Sequence, residues 1–483
     1  MIWDLEWLIV FRVMGKDLKG FGDLVAKATN FLGIKKTVDV VAKKLDTDCG
    51  CDKRQDTLNR MFRYKSFFNE NPTDKIFVQI ASYRDPELIP TIKDCISKAK
   101  FPERLTFGIC WQHSDEDEWD NLDEFKENPN FTIMDVPWNE SKGLCWARHN
   151  IQKMYNGEKY TLQIDSHHRF EKNWDSELIT MMGLCNTPKP ILTSYAGQYD
   201  PKSNKKINLD PYKMVAKNFT QSGTILFYPE SIPNYKDLNS PIPGRFVSGH
   251  FFFTIGTHCK EYKYDPNLYF AGDEISLSIR SYTLGYDIFH PHKLLIWHEY
   301  TRKGRIKHWD DFTSKNQDKI DKKYHELDDI SKKRLRKMLR EEENDSDITG
   351  YDIGKIRTHE EYELYAGIDF KNRILHQDTI KGINPPTLLD PNDNKWRSLK
   401  LTSYNLNLSW DWDKIKNENI DFIFLGIEGD NELLHRIDLN GEEYTTGKKT
   451  TFNATFESYG VPKTLVVWPY SKGEWLNKQN IKL

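Results

Sequence analysis

The chain has no apolar run of membrane-spanning length. Nowhere in its 483 residues does a stretch approach the ~18 to 20 apolar residues that crossing a bilayer requires. The opening, "MIWDLEWLIVFRVMG", comes nearest, but Asp4, Glu6 and Arg12 interrupt it. It also lacks the basic start and small-residue cleavage site of a secretory signal. It is expected to form a short helix packed on a partner or on another protomer. A disulfide framework is missing as well. Seven cysteines, an odd number, stand scattered at 49, 51, 95, 110, 145, 185 and 259, which points to a reducing compartment. Charge of one sign is not in excess either: the net charge is −3. That excludes bulk electrostatic binding of nucleic acid and leaves any anionic ligand to a local site, with a metal cation where the chemistry needs one. A soluble, cytoplasmic protein is expected.

Aromatic residues are plentiful, with 14 Trp and 23 Tyr. They suit carbohydrate stacking and a dense core equally well. Residues 1–73 read as helical from apolar spacings of three and four. They end near Cys49-Gly50-Cys51, a weak zinc signal because no second pair of ligands stands close by. From residue 74 the pattern changes. "KIFVQIASY", "RLTFGICWQ", "FTIMDVPW", "KYTLQID" and "PILTSYAG" predict strands, with helices at "PELIPTIKDCISKA", "CWARHNIQKMY" and "WDSELITMMGLC" between them. Such alternation predicts an α/β domain over 74–370 with a mainly parallel sheet, whose ligands sit outside the carboxyl ends of the strands. "GRFVSGHFFFTIGTH" predicts a strand with an internal Gly-His break, and the highly charged stretch 303–345 predicts a solvated helix. A linker over 371–392 leads to 393–483, where short strands between turn signals predict a small β-sandwich.

The chemistry gathers at "LQIDSHHRFEKNWD". In an extended stretch, residues two apart face the same way, so Asp165 and His167 address one point. A carboxylate beside an imidazole is a ligand pair for a divalent transition ion such as Mn²⁺. D-x-H alone is common, and the competing reading is a hydrogen-bonded strand end. His168 faces away and reads as structural. A third ligand is offered by "IFHPHKLLIWHEYTR", through His290, His292 or His298. Open coordination positions would then take phosphate oxygens. Asp273 and Glu274 open a helix, where carboxylates are stabilised by the dipole and one of them can also reach substrate hydroxyls.

Seven stretches taken together resemble a known family: "IFVQIASYRDPEL", "FGICWQ", "KGLCWARHNIQKMY", "LQIDSHHRFEKNWD", "AGDEISLSIRSYTLGYDIFHP", "WHEYTR" and "GKIRTHEEYELYAGIDF". In sequence and order they resemble the family 60 glycosyltransferases, polypeptide hydroxyproline N-acetylglucosaminyltransferases distantly related to the mucin-type polypeptide N-acetylgalactosaminyltransferases. The resemblance implies a GT-A fold and a retaining transfer that depends on Mn²⁺ or Mg²⁺, from a UDP-sugar, most often UDP-N-acetylglucosamine, to a protein or glycan acceptor. It implies Asp165, His167 and His298 as metal ligands. It implies Ser82, Tyr83, Arg84, Gly143 and Arg148 at the uridine, and Asp273 and Glu274 on donor-sugar hydroxyls. Gly249 and His250 would line the sugar pocket, Trp297 and Tyr300 would frame the site, and Arg302 or Arg84 would supply a cation to the leaving diphosphate. Two departures stand out, His168 for a larger apolar residue and Leu144 for a commoner proline, and neither removes a ligand.

The first seventy residues resemble, in short segments, tailed-phage proteins, which suggests a viral source. The tail lies outside the family resemblance and is open to glycan binding, dimerisation or neither. Two rival functions are a catalytically inactive glycan-binding protein of a virus and a metal-dependent hydrolase using the same ligands.

Overall fold

The computed structural model describes residues 68, 70–220, 223–302 and 304–387, then 402–415, 420–429, 433–440, 450–458, 460–471 and 474–483. The expected N-terminal helical segment and the Cys49/Cys51 pair lie outside the described residues. The apolar runs become strands β1 (Ile76–Tyr83), β2 (Leu105–His113), β3 (Phe131–Pro137) and β4 (Tyr160–Asp165). Helices α1 (Leu88–Lys98) and α2 (Leu144–Gln152) connect them. β1 runs parallel to β2 and β4, and β2 parallel to β3. Alternation along β1 then decides what packs on each face. Val78 and Ile80 join Leu88 and Ile92 of α1 in one core, whereas Phe77 joins Ala147 and Ile151 of α2 in another.

Further along the chain come β5 (His168–Phe170), α3 (Trp174–Leu184), β6 (Pro190–Thr193) and β7 (Gly197–Asp200). After an antiparallel pair of strands, Tyr212–Phe219 and Ile225–Ser231, follow β8 (Phe251–Ile255), α4 (Asp273–Thr283), β9 (Asp287–His290) and β10 (Ile296–His298). The large sheet runs in the order Ile242–Pro243, β9, β6, β8, β4, β1, β2, β3. It is mainly parallel as expected, but β8 lies antiparallel to both β4 and β6. β8 starts at Phe251, so Gly249 and His250 precede the strand rather than interrupt it. The reason is that the backbone of Gly249 serves side chains: its N–H donates to Glu274 at 3.0 Å and its carbonyl accepts from Arg148 at 2.6 Å and Gln163 at 2.8 Å.

A small second sheet sets β10 antiparallel to β5 and parallel to β7, with His298 opposite His168. The charged stretch after residue 303 does hold a helix, α5 (Tyr324–Met338), but it is not merely solvated. Leu335 and Met338 are buried, and Leu335 closes on Gly272, the residue that caps α4. α6 (His359–Ala366) adds Tyr362 and Ala366 to the same core. In the tail, Thr402–Ser409 pairs with Thr451–Ser458, and Phe422–Glu428 pairs with Leu433–Asn440 and Thr464–Ser471. Leu408 and Phe456 from the first pair share a core with Ile423, Leu425 and Val467 of the second sheet, the packing of a sandwich. The five described cysteines are free and buried, and among the described residues no helix is long and apolar enough to cross a membrane.

One buried ion pair anchors α3 to the start of β2. Arg104 Nη2 meets Asp175 Oδ2 at 2.6 Å, with both side chains fully covered. The same carboxylate accepts the amides of Lys100 (2.7 Å) and Phe101 (3.1 Å). Removing one partner strands the other charge inside the protein. Asp175→Ala is therefore expected to cost about 3–5 kcal/mol, read as a lowered urea midpoint at unchanged m-value.

Candidate active site

β4 and β10 both deliver their last residues to one place. Asp165 closes β4 and His298 closes β10, and the turn after β4 brings in His167. Asp165 Oδ2 stands 3.5 Å from His298 Nε2 and 3.9 Å from His167 Nε2. One ligand atom from each of the three residues lies within 4.8 Å of the others. The Nε2 atoms of both histidines are buried with no hydrogen-bond partner among the described residues. That is a cost in a folded protein unless a ligand completes them. His167 Nδ1 faces Asp85 Oδ2 at 2.7 Å. The carboxylate fixes the Nδ1–H tautomer and turns the Nε2 lone pair into the cluster.

The charge states agree with ligation. Burial works to raise the Asp165 carboxyl, but His298 3.5 Å away and the Arg148 guanidinium hold it well below its ordinary range. Burial, with His250 beside it, pushes His298 well down, so its imidazole is neutral. A carboxylate with two imidazoles is the O, N, N donor set of a divalent transition ion, and the residues present fit one. His290 and His292 stand outside this group. His290 Nδ1 is held by the Thr193 carbonyl at 2.7 Å, and burial lowers it to about 4. His168 lies beneath the cluster, its Nδ1 3.1 Å from the Asp165 carbonyl.

Two cavities meet at these three residues. Tyr83, Asp85, Gly143, Tyr269, Arg305 and His308 line the first. Tyr195, Gly249, His250, Glu274 and Tyr300 line the second. Asp165, Leu144, Phe270 and Arg302 belong to both. Gly143, at φ +100°, lies so close to Tyr269 that a Cβ would stand 2.6 Å from its ring. On the wall of the second cavity sits Arg148 of α2, buried. Its guanidinium pairs with Asp273, reaches Asp165 Oδ1 at 3.0 Å and donates to the Gly249 carbonyl. Burial opposes its charge, but Tyr264, Asp273 and Asp165 keep it protonated.

Several residues singled out in the sequence stand elsewhere. Alternation along β1 puts Tyr83 in the first cavity and turns Ser82 into the interior, fully covered. Arg84 is claimed by two carboxylates, Asp117 at 2.6 Å and Asp311 at 3.1 Å, and so is not the cation of the cleft. Trp297 points to the opposite side of β10 from His298. There its Nε1 donates to the Asn208 carbonyl at 2.7 Å and Lys206 lies over its ring. Conversely, Asp85, Glu299 and Arg305 were not singled out. Arg305 Nη1 bridges both oxygens of Asp85, at 2.7 and 2.8 Å, and its Nη2 pairs with Glu299. Asp85 follows the first strand in a turn-like "YRDPE", and nothing in that spacing announces a partner 220 residues away.

Glu274, at the floor of the second cavity, accepts the Gly249 amide at 3.0 Å and the Tyr195 hydroxyl at 2.7 Å. Burial outweighs both bonds and raises it to about 7. A carboxyl raised in the folded state favours folding below its unfolded value of 4.5, and that contribution is lost as pH rises through about 7. Melting curves across this range should therefore show Glu274→Gln gaining on the wild type as pH increases. A constant difference between the two would contradict the assignment.

The family model described as glycosyltransferase (GlcNAc) matches residues 75–129 and 120–372, more than half of the chain. No curated protein matches it. Among solved structures it is similar to GalNAc-T7 with UDP, GalNAc and Mn²⁺, at 14% identity and a TM-score of 0.40, over 61% of this chain and 57% of that one. It is also similar to residues 1–349 of TarS from S. aureus (11% identity, TM-score 0.32, 47% and 60% covered). A third is the mannosyltransferase PcManGT from Pyrobaculum calidifontis in complex with GDP-Man and Mn²⁺ (11%, 0.32, 49% and 61%). The chain spans less than two thirds of the length of each of these three. With the family model running from the first residues of β1 through the ligand cluster and beyond α6, this chain belongs to the glycosyltransferase (GlcNAc) family.

Proposed function

We propose that the protein is a metal-dependent, retaining glycosyltransferase. It moves a sugar, N-acetylglucosamine foremost, from a UDP-sugar to a hydroxyl group on a polypeptide or glycan. The observation that carries this reading is the cluster of Asp165, His167 and His298 at the junction of two cavities, with both histidine Nε2 atoms unpartnered. Those three residues would hold Mn²⁺ or Mg²⁺, which when bound offsets the negative charge that grows on a departing diphosphate.

The chain's own groups divide the remaining work. Tyr83, Gly143 and Tyr269 form the wall of the nucleotide side. On the other side Gly249, His250, Tyr300 and Glu274 face the sugar, and Glu274 is the carboxyl placed to bond its hydroxyls. Asp273 is engaged by Arg148, so its part is to hold that guanidinium against Asp165. Arg302 lines both cavities and stands 3.7 Å from Asp165 Oδ2, which makes it the cation for the diphosphate. Every carboxylate lining the sugar cavity is already occupied: Asp165 in the ligand cluster, Asp273 by Arg148, Glu274 by two hydrogen bonds. No carboxylate among the described lining residues is left without a partner, which favours attack by the acceptor hydroxyl on the face the diphosphate leaves. The leaving phosphate oxygen then takes the acceptor's proton.

UDP release from UDP-N-acetylglucosamine in the presence of Mn²⁺ tests the reading. Asp165→Ala and His298→Ala should each lose on the order of 100-fold or more in rate, and a chelator should remove the wild-type activity. Wild-type turnover in both variants would refute the ligand assignment.

A further inference from the structure

Two carboxylates, Asp85 and Glu299, are buried within one salt bridge of each other, and a single guanidinium serves both. Asp85 follows β1 and Glu299 follows β10 directly after the ligand His298. Arg305 binds Asp85 through Nη1 and Glu299 through Nη2, using the fork of donors that a lysine lacks.

What each carboxylate does next gives the arrangement its meaning. Asp85 Oδ2 also meets His167 Nδ1 at 2.7 Å and accepts the Ser166 hydroxyl at 2.8 Å, so it fixes the ring of one proposed metal ligand. Glu299 accepts the backbone amides of Thr301 at 2.6 Å and Arg302 at 3.0 Å. Arg302 is a non-glycine residue at φ +44°, a left-handed conformation that persists where the surroundings hold it. The Glu299 bonds supply that hold, and they aim the Arg302 side chain at the cleft shared by the two cavities.

We propose that Arg305 is a positioning residue that couples the two halves of diphosphate recognition, His167 through Asp85 and Arg302 through Glu299. The inference rests on the metal-dependent reading above and adds to it a link between metal affinity and nucleotide affinity. Removing the guanidinium leaves two buried anions with no common cation. Asp85 then loses its orientation toward His167 while Glu299 loses its grip on the Arg302 turn. Neither Asp85 nor Glu299 alone can produce both effects.

The test uses the full chain and two binding measurements, calorimetry with Mn²⁺ alone and with UDP at saturating Mn²⁺. A melting curve for each variant confirms folding. Arg305→Lys should weaken Mn²⁺ binding about tenfold and weaken UDP binding as well. Asp85→Asn should weaken Mn²⁺ while sparing UDP at saturating metal, and Glu299→Gln should do the reverse. A folded Arg305→Lys that binds both ligands like the wild type overturns the proposal. Should that variant fail to fold, the other two decide: Mn²⁺ affinity unchanged in Asp85→Asn, or UDP affinity unchanged in Glu299→Gln, overturns it equally. Asp165→Ala separates this failure from failure of the underlying reading. If Asp165→Ala loses Mn²⁺ while Arg305→Lys does not, the ligand cluster stands and the coupling falls. If Asp165→Ala keeps wild-type Mn²⁺ affinity, the ligand cluster itself is wrong.

Discussion

Arg148 is the charge around which the site is assembled. Its guanidinium lies wholly inside the protein and touches the end of β4 through Asp165, the start of α4 through Asp273 and the segment before β8 through Gly249. A buried cation of this kind is tolerated where its partners are fixed in place and hydrogen-bonded. Here the partners are the elements that shape the two cavities. The same contact that keeps the cation inside therefore also sets the distance between the strand that ends in Asp165 and the helix that carries Glu274. The two cavities are held in register by one side chain, which itself lines the second of them.

Much of the frame can be read in the sequence because it follows from local pattern. The apolar runs at 76–83, 105–113 and 160–165 are strands, and the turns that follow the first and last of these carry Asp85 and His167. Asp165 and His167 do address one point, but through the turn after β4 rather than through the alternation of an extended stretch. Ser82 and Trp297 stand away from the cleft because each neighbours a residue that faces it and strand alternation turns the neighbour away, whereas Arg84, past the end of β1, is held by Asp117 and Asp311. Motif matching assigns a stretch; the pleat assigns individual side chains.

What lies beyond local pattern is the set of long-range charge pairs. Asp85 and Arg305 meet across 220 residues, and no periodicity encodes that meeting. The antiparallel course of β8 is likewise invisible, because a buried strand reads the same in either direction. The charged stretch after residue 303 misleads by composition, since its many lysines and glutamates conceal the few apolar positions that decide whether a helix packs.

Those few positions carry a consequence for how the sequence can drift. The exposed positions of α5, such as His325, Asp329 and Lys333, are free to exchange one polar or charged residue for another, whereas Arg334 is held by buried Asp265. Leu335 is different, because it fills the space over Gly272, at the mouth of the helix whose first turn bears Asp273 and Glu274. Any side chain at 272, or a larger one at 335, would push that first turn toward the cavity. In a set of related chains, the exposed positions of α5 should therefore vary broadly, while position 335 stays locked to position 272. Such a pattern would mark the helix as a brace for the second cavity, where average composition alone marks it as filler.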